Sequence, residues 1–315
     1  AEPCRLSAGV LGMDAIAGWG HKPTASRARQ IARRKSLPYI AFEDGFLRSV
    51  FPGNGEKPLS LVMDRTGIYY DATQPNDLEA LVRRRADSLS ATGRIRASMD
   101  RLRQSRLSKY NTATLHTVED LGLRTLRPHD RVLVIDQTAG DASIAGARSS
   151  EQTFAAMLVA AVAENPGAEL LVRVHPETVL GRKPGHFSSA QIDRLARMDP
   201  GVARARDAGL LRMTSEPVNP WALLEACSKV YCVSSQLGFE GLMAGCEVHC
   251  FGSAFYNGWG LAIDRTCRPS TNRTPARLEA LFAAVYFDYM RYISYKRDCL
   301  IEFDEAVDIL SERVN

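Results

Sequence analysis

The sequence predicts an α/β protein whose second half is built on a parallel sheet, and three observations carry that expectation. Four short apolar runs, Val132–Ile135, Leu170–Val174, Val230–Val233 and Val248–Phe251, read as strands covered on both faces. Helical segments separate them, so the rhythm is strand, helix, strand. The first three runs also end abruptly in polar residues: Asp136, Gln137, Gly140, Asp141 and Ser143; His175 and Pro176; Ser234, Ser235 and Gln236. Strand, polar loop, helix is the unit that places ligands at the carboxyl edge of a sheet.

The 315 residues are enough for two domains or one large one, and 45% apolar with 24% charged residues is ordinary for a globular protein. No stretch of 18 apolar residues suggests a membrane span, and the first residues lack a signal-peptide pattern. Seven cysteines, several inside apolar runs, point to a reducing compartment. Cys246 and Cys250 flank His249, but Val248–Phe251 reads better as a strand than as a zinc site. A net charge of +4 does not imply a nucleic-acid binder. Its distribution is informative: Lys22, Arg27, Arg29, Arg33, Arg34 and Lys35 occur with no acid among them. That face is either simply solvated or meets an anionic lipid or acceptor.

In chain order, Gly9–Gly12 and Ile16–Gly20 look like strand ends, and Thr24–Lys35 a helix stopped by Leu37-Pro38. Pro38–Phe42 reads as a strand ending at Glu43-Asp44-Gly45, where adjacent carboxylates repel unless solvated or paired. Leu59–Asp71 suggests a hairpin or paired strands around Thr66-Gly67, Asn76–Ser108 is Arg-rich with helical spacing, and Leu123–Asp130 is a candidate linker. Ser149 with Gln152 fits a capping box for the helix Phe154–Glu164. Asn219-Pro220-Trp221 opens another helix, with Asn as cap and Pro in the first turn. Pro275–Tyr292 and Ile301–Leu310 look helical. The resulting division is 1–128, 129–275 and a helical tail 276–315 packing back across the domains.

If the strands beginning near 132, 170 and 230 are parallel neighbours, Asp141, His175 and Ser234-Ser235 converge on one crevice. Serines at a helix N-terminus suit an anion. Asp141 is either a turn residue or a reactive carboxylate, and His175 either a core histidine or a phosphate ligand. No phosphate loop and no Asp-x-Asp pair occurs, which favours a metal-free site for a nucleoside monophosphate sugar.

The chain resembles the KpsC family of bacterial capsule-polysaccharide β-Kdo glycosyltransferases (Kdo is 3-deoxy-D-manno-oct-2-ulosonic acid). The residues that carry the resemblance are Trp19-Gly20-His21-Lys22-Pro23, Glu43-Asp44-Gly45 with Arg48, Gln137 with Asp141 and Ser143, His175-Pro176, Ser235-Gln236 with Glu240, and Tyr256 with Trp259. Arg173 stands where Lys often precedes the His-Pro pair, and Ser234 where Thr is common. The resemblance implies a GT-B-like pair of Rossmann-type domains with the active site in the interdomain cleft, an acceptor-side domain first and a nucleotide-sugar domain second. It implies CMP-β-Kdo as donor and a Kdo-terminated, phosphatidylglycerol-linked acceptor, with no metal or other cofactor and no nucleic acid. The enzyme would be cytoplasmic, peripheral to the inner membrane and its anionic lipid. Family members often carry two tandem modules, so a second module can be missing here. Asp141 would be the nucleophile of a retaining double displacement, and Glu43 or Asp44 would handle acceptor protons. His175, Pro176, Arg173, Ser234, Ser235, Gln236, Glu240, Gln137 and Ser143 would hold the donor. Trp19, His21, Lys22, Arg48, Lys109, Tyr256 and Trp259 would line the acceptor side of the cleft. Two other readings stand beside this one: an inverting CMP-sialic-acid-type transferase with Asp44 as base, and a non-catalytic scaffold for nucleotides or polyanions.

Overall fold

The computed structural model describes residues 14–51, 56–88, 92–123, 130–174, 178, 184–265 and 273–314. In chain order the strands are β1 (Ile16–Trp19), β2 (Tyr39–Asp44), β3 (Ser60–Asp64), β4 (Arg131–Ile135), β5 (Glu169–Arg173), β6 (Leu211–Thr214), β7 (Lys229–Cys232), β8 (Glu247–Cys250), β9 (Ile263–Asp264), β10 (Met290–Ser294) and β11 (Cys299–Ile301). They form two sheets, ordered β1-β2-β3-β10-β11 and β6-β5-β4-β7-β8-β9.

Every pair in the second sheet is parallel. Renumbered within that sheet the order is 3-2-1-4-5-6, the doubly wound arrangement whose ligand crevice opens between the first and fourth strands, here β4 and β7. The apolar run at β4 is explained by its two faces. Val132 and Val134 pack with Phe154, Met157 and Leu158 on one side. Leu133 and Ile135 join Trp221 and Phe239 in the core on the other. The helix expected after Ser149 spans Glu151–Glu164, but its cap is one residue later. Ser150 and Thr153 form the capping box, while Ser149 donates to the Ala147 carbonyl instead.

The first sheet departs from the Rossmann-type expectation. Only β1 and β2 run parallel; β2 with β3, β3 with β10, and β10 with β11 are antiparallel. The four-residue turn 295–298 between β10 and β11 is far too short for a parallel crossover. Residues 276–315 are accordingly not only helical. The helix Leu278–Ala283 continues as a π-helical stretch, Ala284–Tyr289, and then becomes β10. Burial in β10 alternates with period two, which is the strand signal that the apolar helix before it obscures. Neither a hairpin nor paired strands form around Thr66-Gly67, where only β3 is a strand. β3 pairs with β2 and β10, and the turn is held by the Asp64 carboxylate, which accepts from the backbone N–H groups of Thr66 and Gly67 at 2.9 and 2.7 Å.

The two sheets are tied by one continuous apolar core running from Val62 and Phe46 to Leu133 and Phe239. Polar contacts reinforce it: Trp221 Nε1 donates to the Leu107 carbonyl and Gln236 Nε2 to the Phe46 carbonyl, each at 2.9 Å. A buried ion pair, Arg273 with Glu79 at 2.7 Å, bridges the same halves. Cys227, Cys232, Cys246 and Cys250 are free thiols in the core, and His249 stacks on Tyr231 and bonds Glu247. Among the described residues no His, Cys, Asp and Glu group is arranged to hold a metal, and no helix is long and apolar enough to cross a membrane. Gly9–Gly12 and most of the candidate linker lie outside the described residues.

Candidate active site

A cleft of about 400 Å³ lies where the carboxyl ends of β4, β5 and β7 face the end of β2. It gathers Lys22, Glu43, Asp44, Arg48, Lys109, Gln137, Asp141, Ser143, Arg173, Ser234, Ser235, Gln236 and Glu240, so most of the residues expected from the sequence meet there.

The first-sheet wall consists of paired charges. Glu43, at the end of β2, is buried and accepts from Trp19 Nε1 at 2.8 Å, while Lys22 Nζ lies 3.3 Å from its other oxygen. Asp44 Oδ2 is 2.9 Å from Arg48 Nε. The two adjacent carboxylates thus each have a cation of their own, which offsets their repulsion. Gly20 makes this packing possible. Its φ is 53°, and a Cβ there would fall 2.1 Å from the Tyr70 hydroxyl and 3.0 Å from Glu43 Oε2.

The second-sheet wall offers amides, hydroxyls and a helix N-terminus. Gln137, leaving β4, joins the two strand ends: its Oε1 accepts from Ser234 N at 2.9 Å and its Nε2 donates to Ser234 Oγ at 3.2 Å. Ser235 caps the helix Gln236–Ala244, accepting from Leu237 N at 3.2 Å. The positive end of that helix therefore opens on the cleft. Asp141 is exposed and caps the short helix Ala142–Gly146. Its Oδ1 accepts from Ser143 N at 2.8 Å, which fixes the carboxylate while leaving Oδ2 open. Arg173 is buried, donates to the Glu216 carbonyl at 2.5 Å, and is held at a pKa of about 10 by desolvation, against the opposing charge of Glu216. Glu240 is buried and accepts from Ser108 Oγ at 2.7 Å and Gln236 Nε2 at 2.9 Å. Burial outweighs those bonds and pushes its pKa up to about 7.

Three expected cleft residues sit elsewhere. Tyr256 is fully buried beneath the wall, donating to the Ser235 carbonyl at 2.8 Å, so it supports the helix N-terminus and does not line the cleft. Trp259 is buried too, its Nε1 bonded to the Phe255 carbonyl and its ring under Arg273. The cause is the same in both: these large rings fill core space between the halves. His21 faces a neighbouring cavity, with Nδ1 2.8 Å from Asp71. Trp19 reaches the site through its bond to Glu43, with 38% of its surface exposed. His175 and Pro176 lie outside the described residues.

The structure adds Tyr69, Tyr70, Ser108, Tyr110 and Asp136 to the lining. Asp136, directly after β4, accepts from the backbone N–H groups of Gln137, His186 and Phe187. Burial raises its pKa to about 6 against those three bonds. A carboxylate at the end of a fully buried strand was the available signal. Tyr69-Tyr70, and Ser108 and Tyr110 on either side of Lys109, sit in loops with no apolar run before them to mark a strand end.

The family model described as capsule polysaccharide biosynthesis protein matches residues 14–292. The chain is 39% identical over 290 residues to the capsule polysaccharide modification protein LipA of Neisseria meningitidis serogroup A, covering 90% of this chain and 39% of LipA. It is 36% identical over 294 residues to the lipopolysaccharide-processing protein LpsZ of Rhizobium meliloti, covering 91% of this chain and 62% of LpsZ. It thus spans less than two thirds of either relative. Among solved structures, the β-Kdo 2,4 transferase of Thermosulfurimonas dismutans KpsC is similar, with 41% identity, a TM-score of 0.81, and coverage of 96% of this chain and 88% of that one. The KpsC resemblance read from the motifs is therefore matched in sequence and in fold, and the chain belongs to the capsule polysaccharide biosynthesis protein family.

Proposed function

We propose that this chain is a retaining β-Kdo transferase of GT-B-like arrangement, moving Kdo from CMP-β-Kdo to a Kdo-terminated, lipid-linked acceptor. The observation that carries the reading is the meeting, at the β4/β7 crevice, of a fixed open carboxylate (Asp141), a helix N-terminus with two serines, and a buried carboxylate on the opposite wall (Glu43). The similarity to a β-Kdo 2,4 transferase supports the sugar and favours the 4-hydroxyl of the terminal Kdo as acceptor.

The helix N-terminus, Ser234 and Ser235 take the CMP phosphate. Asp141 Oδ2 attacks the anomeric carbon; the bond to the phosphate oxygen breaks and CMP leaves with that electron pair. The acceptor hydroxyl then attacks the same carbon, its proton passes to Glu43, and Asp141 departs as a carboxylate. Two inversions preserve the β configuration. Both acids of β2 are paired, but Asp44 is held by the buried Arg48 guanidinium and Glu43 by a half-exposed Lys22 side chain that can swing away, which is why Glu43 is given the role of base. The reaction needs no metal in this scheme, so full activity is expected after chelation. The acidless basic helix, Ser26–Lys35, supports peripheral contact with an anionic inner membrane.

The test is incubation of the purified chain with CMP-Kdo and a synthetic Kdo-terminated acceptor, with NMR of the product. A β-linked product supports the reading. An α-linked product contradicts retention, and absence of both transfer and donor hydrolysis contradicts the transferase reading.

A further inference from the structure

Beside the cleft lies a second cavity of about 310 Å³, lined by His21, Arg29, Arg33, Arg65, Tyr39 and Gln74 among others. No carboxylate of the described residues lines it. The acids that bond residues of its lining, Asp64, Asp71 and Asp77, are already engaged, Asp64 with the backbone N–H groups of Thr66 and Gly67. Asp71 is bonded to His21 and Thr73, and those bonds outweigh its burial and hold its pKa down at about 2. Asp77 accepts from the Arg65 backbone N–H and from Thr66 Oγ1. The arginine heads have no acidic partner among the described residues. Arg29 Nη2 donates to the His21 carbonyl at 3.1 Å, which orients its fork, while its Nε is shielded from water without any partner. Arg33 and Arg65 are exposed and come from different elements, the helix Ser26–Lys35 and the turn after β3. Three arginines that line one concavity and have no ion pair among the described residues suit a carboxylate or phosphate.

The position of this cavity is as informative as its charge. His21 lines it, and the next residue, Lys22, lines the cleft and pairs with Glu43. Consecutive Cα atoms are about 3.8 Å apart. The partition between the two spaces is thin: the Tyr70 hydroxyl, on the cleft side, accepts from His21 N at 2.9 Å, and Gln74 Nε2 lies 3.2 Å from His21 Nδ1 on the other. The exposed indole of Trp19, anchored on Glu43, stands next to that partition. A chain of sugars whose end reaches Glu43 would meet the arginine cavity within a residue or two.

We propose that this cavity is a second anion site, in which Arg29, Arg33 and Arg65 hold a carboxylate of an acidic acceptor glycan beyond its reacting end. The inference rests on the transferase reading and deepens it. A site of this kind makes longer acidic acceptors better substrates than a single acidic sugar, without touching the donor.

The experiment uses the Arg33→Ala/Arg65→Ala double variant, because neither side chain has a partner whose loss would unsettle the fold. Its melting temperature is compared with wild type as a control. Steady-state kinetics are run with acceptors bearing one and three acidic sugars, and binding of the acidic trisaccharide is titrated separately without donor. The expected result is roughly a tenfold rise in KM for the three-sugar acceptor, with KM for the one-sugar acceptor and for donor unchanged. Trisaccharide affinity falls by the same factor. Equal effects on both acceptors, or none, overturn the proposal. A variant that binds vesicles of anionic phospholipid less well, yet keeps wild-type trisaccharide affinity, also overturns it by assigning the arginines to lipid. Wild-type chain that transfers to neither acceptor contradicts the transferase reading alone, because the trisaccharide titration still decides the anion site.

Discussion

On the first-sheet wall of the cleft the two acids of β2 each have a basic partner, Glu43 with Lys22 and Asp44 with Arg48. On the second-sheet wall Asp136 and Asp141 have no ion pair among the described residues, and the groups around them are amides, hydroxyls and backbone N–H donors. The difference follows from what each sheet end can offer. The all-parallel sheet presents loops and a helix N-terminus at one edge, which supplies neutral donors, alongside the Arg173 guanidinium, for an incoming anion. The mixed sheet presents the end of a single strand, and its buried carboxylate keeps company with side-chain cations. One wall is suited to receiving phosphate and carrying a sugar, the other to moving a proton.

The largest expected effect lies on the second-sheet wall. Asp141→Asn retains an oxygen to accept from Ser143 N, so its melting temperature should match wild type, while kcat falls by about 10⁴-fold or more. Near wild-type turnover would remove Asp141 from the chemistry and leave it a helix cap. On the opposite wall, Glu43→Gln should lower kcat by about 10³-fold with donor affinity intact. A loss of CMP binding in calorimetry instead would mean that the two walls do not divide the work as described. Ser235→Ala removes a cap and a hydroxyl proposed to take the CMP phosphate, so CMP affinity should fall about tenfold with a stability cost of about 1 kcal/mol.

The smallest effect on turnover is expected at Glu240, between the walls. Its folded pKa, about 7, stands above the ordinary 4.5, so the neutral form is favoured by folding. Its contribution is fully present below about pH 4.5 and is lost as pH rises toward 7. Glu240→Gln can still accept from Ser108 and Gln236. Relative to wild type it should gain up to about 3 kcal/mol at pH 8 and little at pH 4.5, in denaturant titrations at both pH values. An equal effect at both would show that Glu240 does not titrate with folding.

How much of this was legible depended on burial pattern. β4, β5, β7 and β8 announced themselves because both faces are covered, so the chain must be apolar throughout. β6, at the sheet edge, alternates exposure and carries Arg212, and it was not recognised. Asp141, Ser234 and Glu43 were readable because abrupt polarity after an apolar run marks a strand end. Tyr256 and Trp259 misled because an aromatic in a glycine-containing loop looks the same in sequence whether it lines a cleft or fills a core; only the packing separates the two. The mixed topology of the first sheet was hidden for a related reason, since two of its strands arrive from the far end of the chain.

The central claim is that a carboxylate on the second-sheet wall carries the sugar while one on the first-sheet wall serves the acceptor. The most direct measurement is the intact mass of the Glu43→Gln variant, quenched after incubation with CMP-Kdo and then mapped by peptide. The account predicts a gain of one Kdo, located on the peptide containing Asp141 and absent from the Asp141→Asn/Glu43→Gln double variant. A Kdo adduct on another carboxylate, or a β-linked product formed by Asp141→Asn at the wild-type rate, would contradict it.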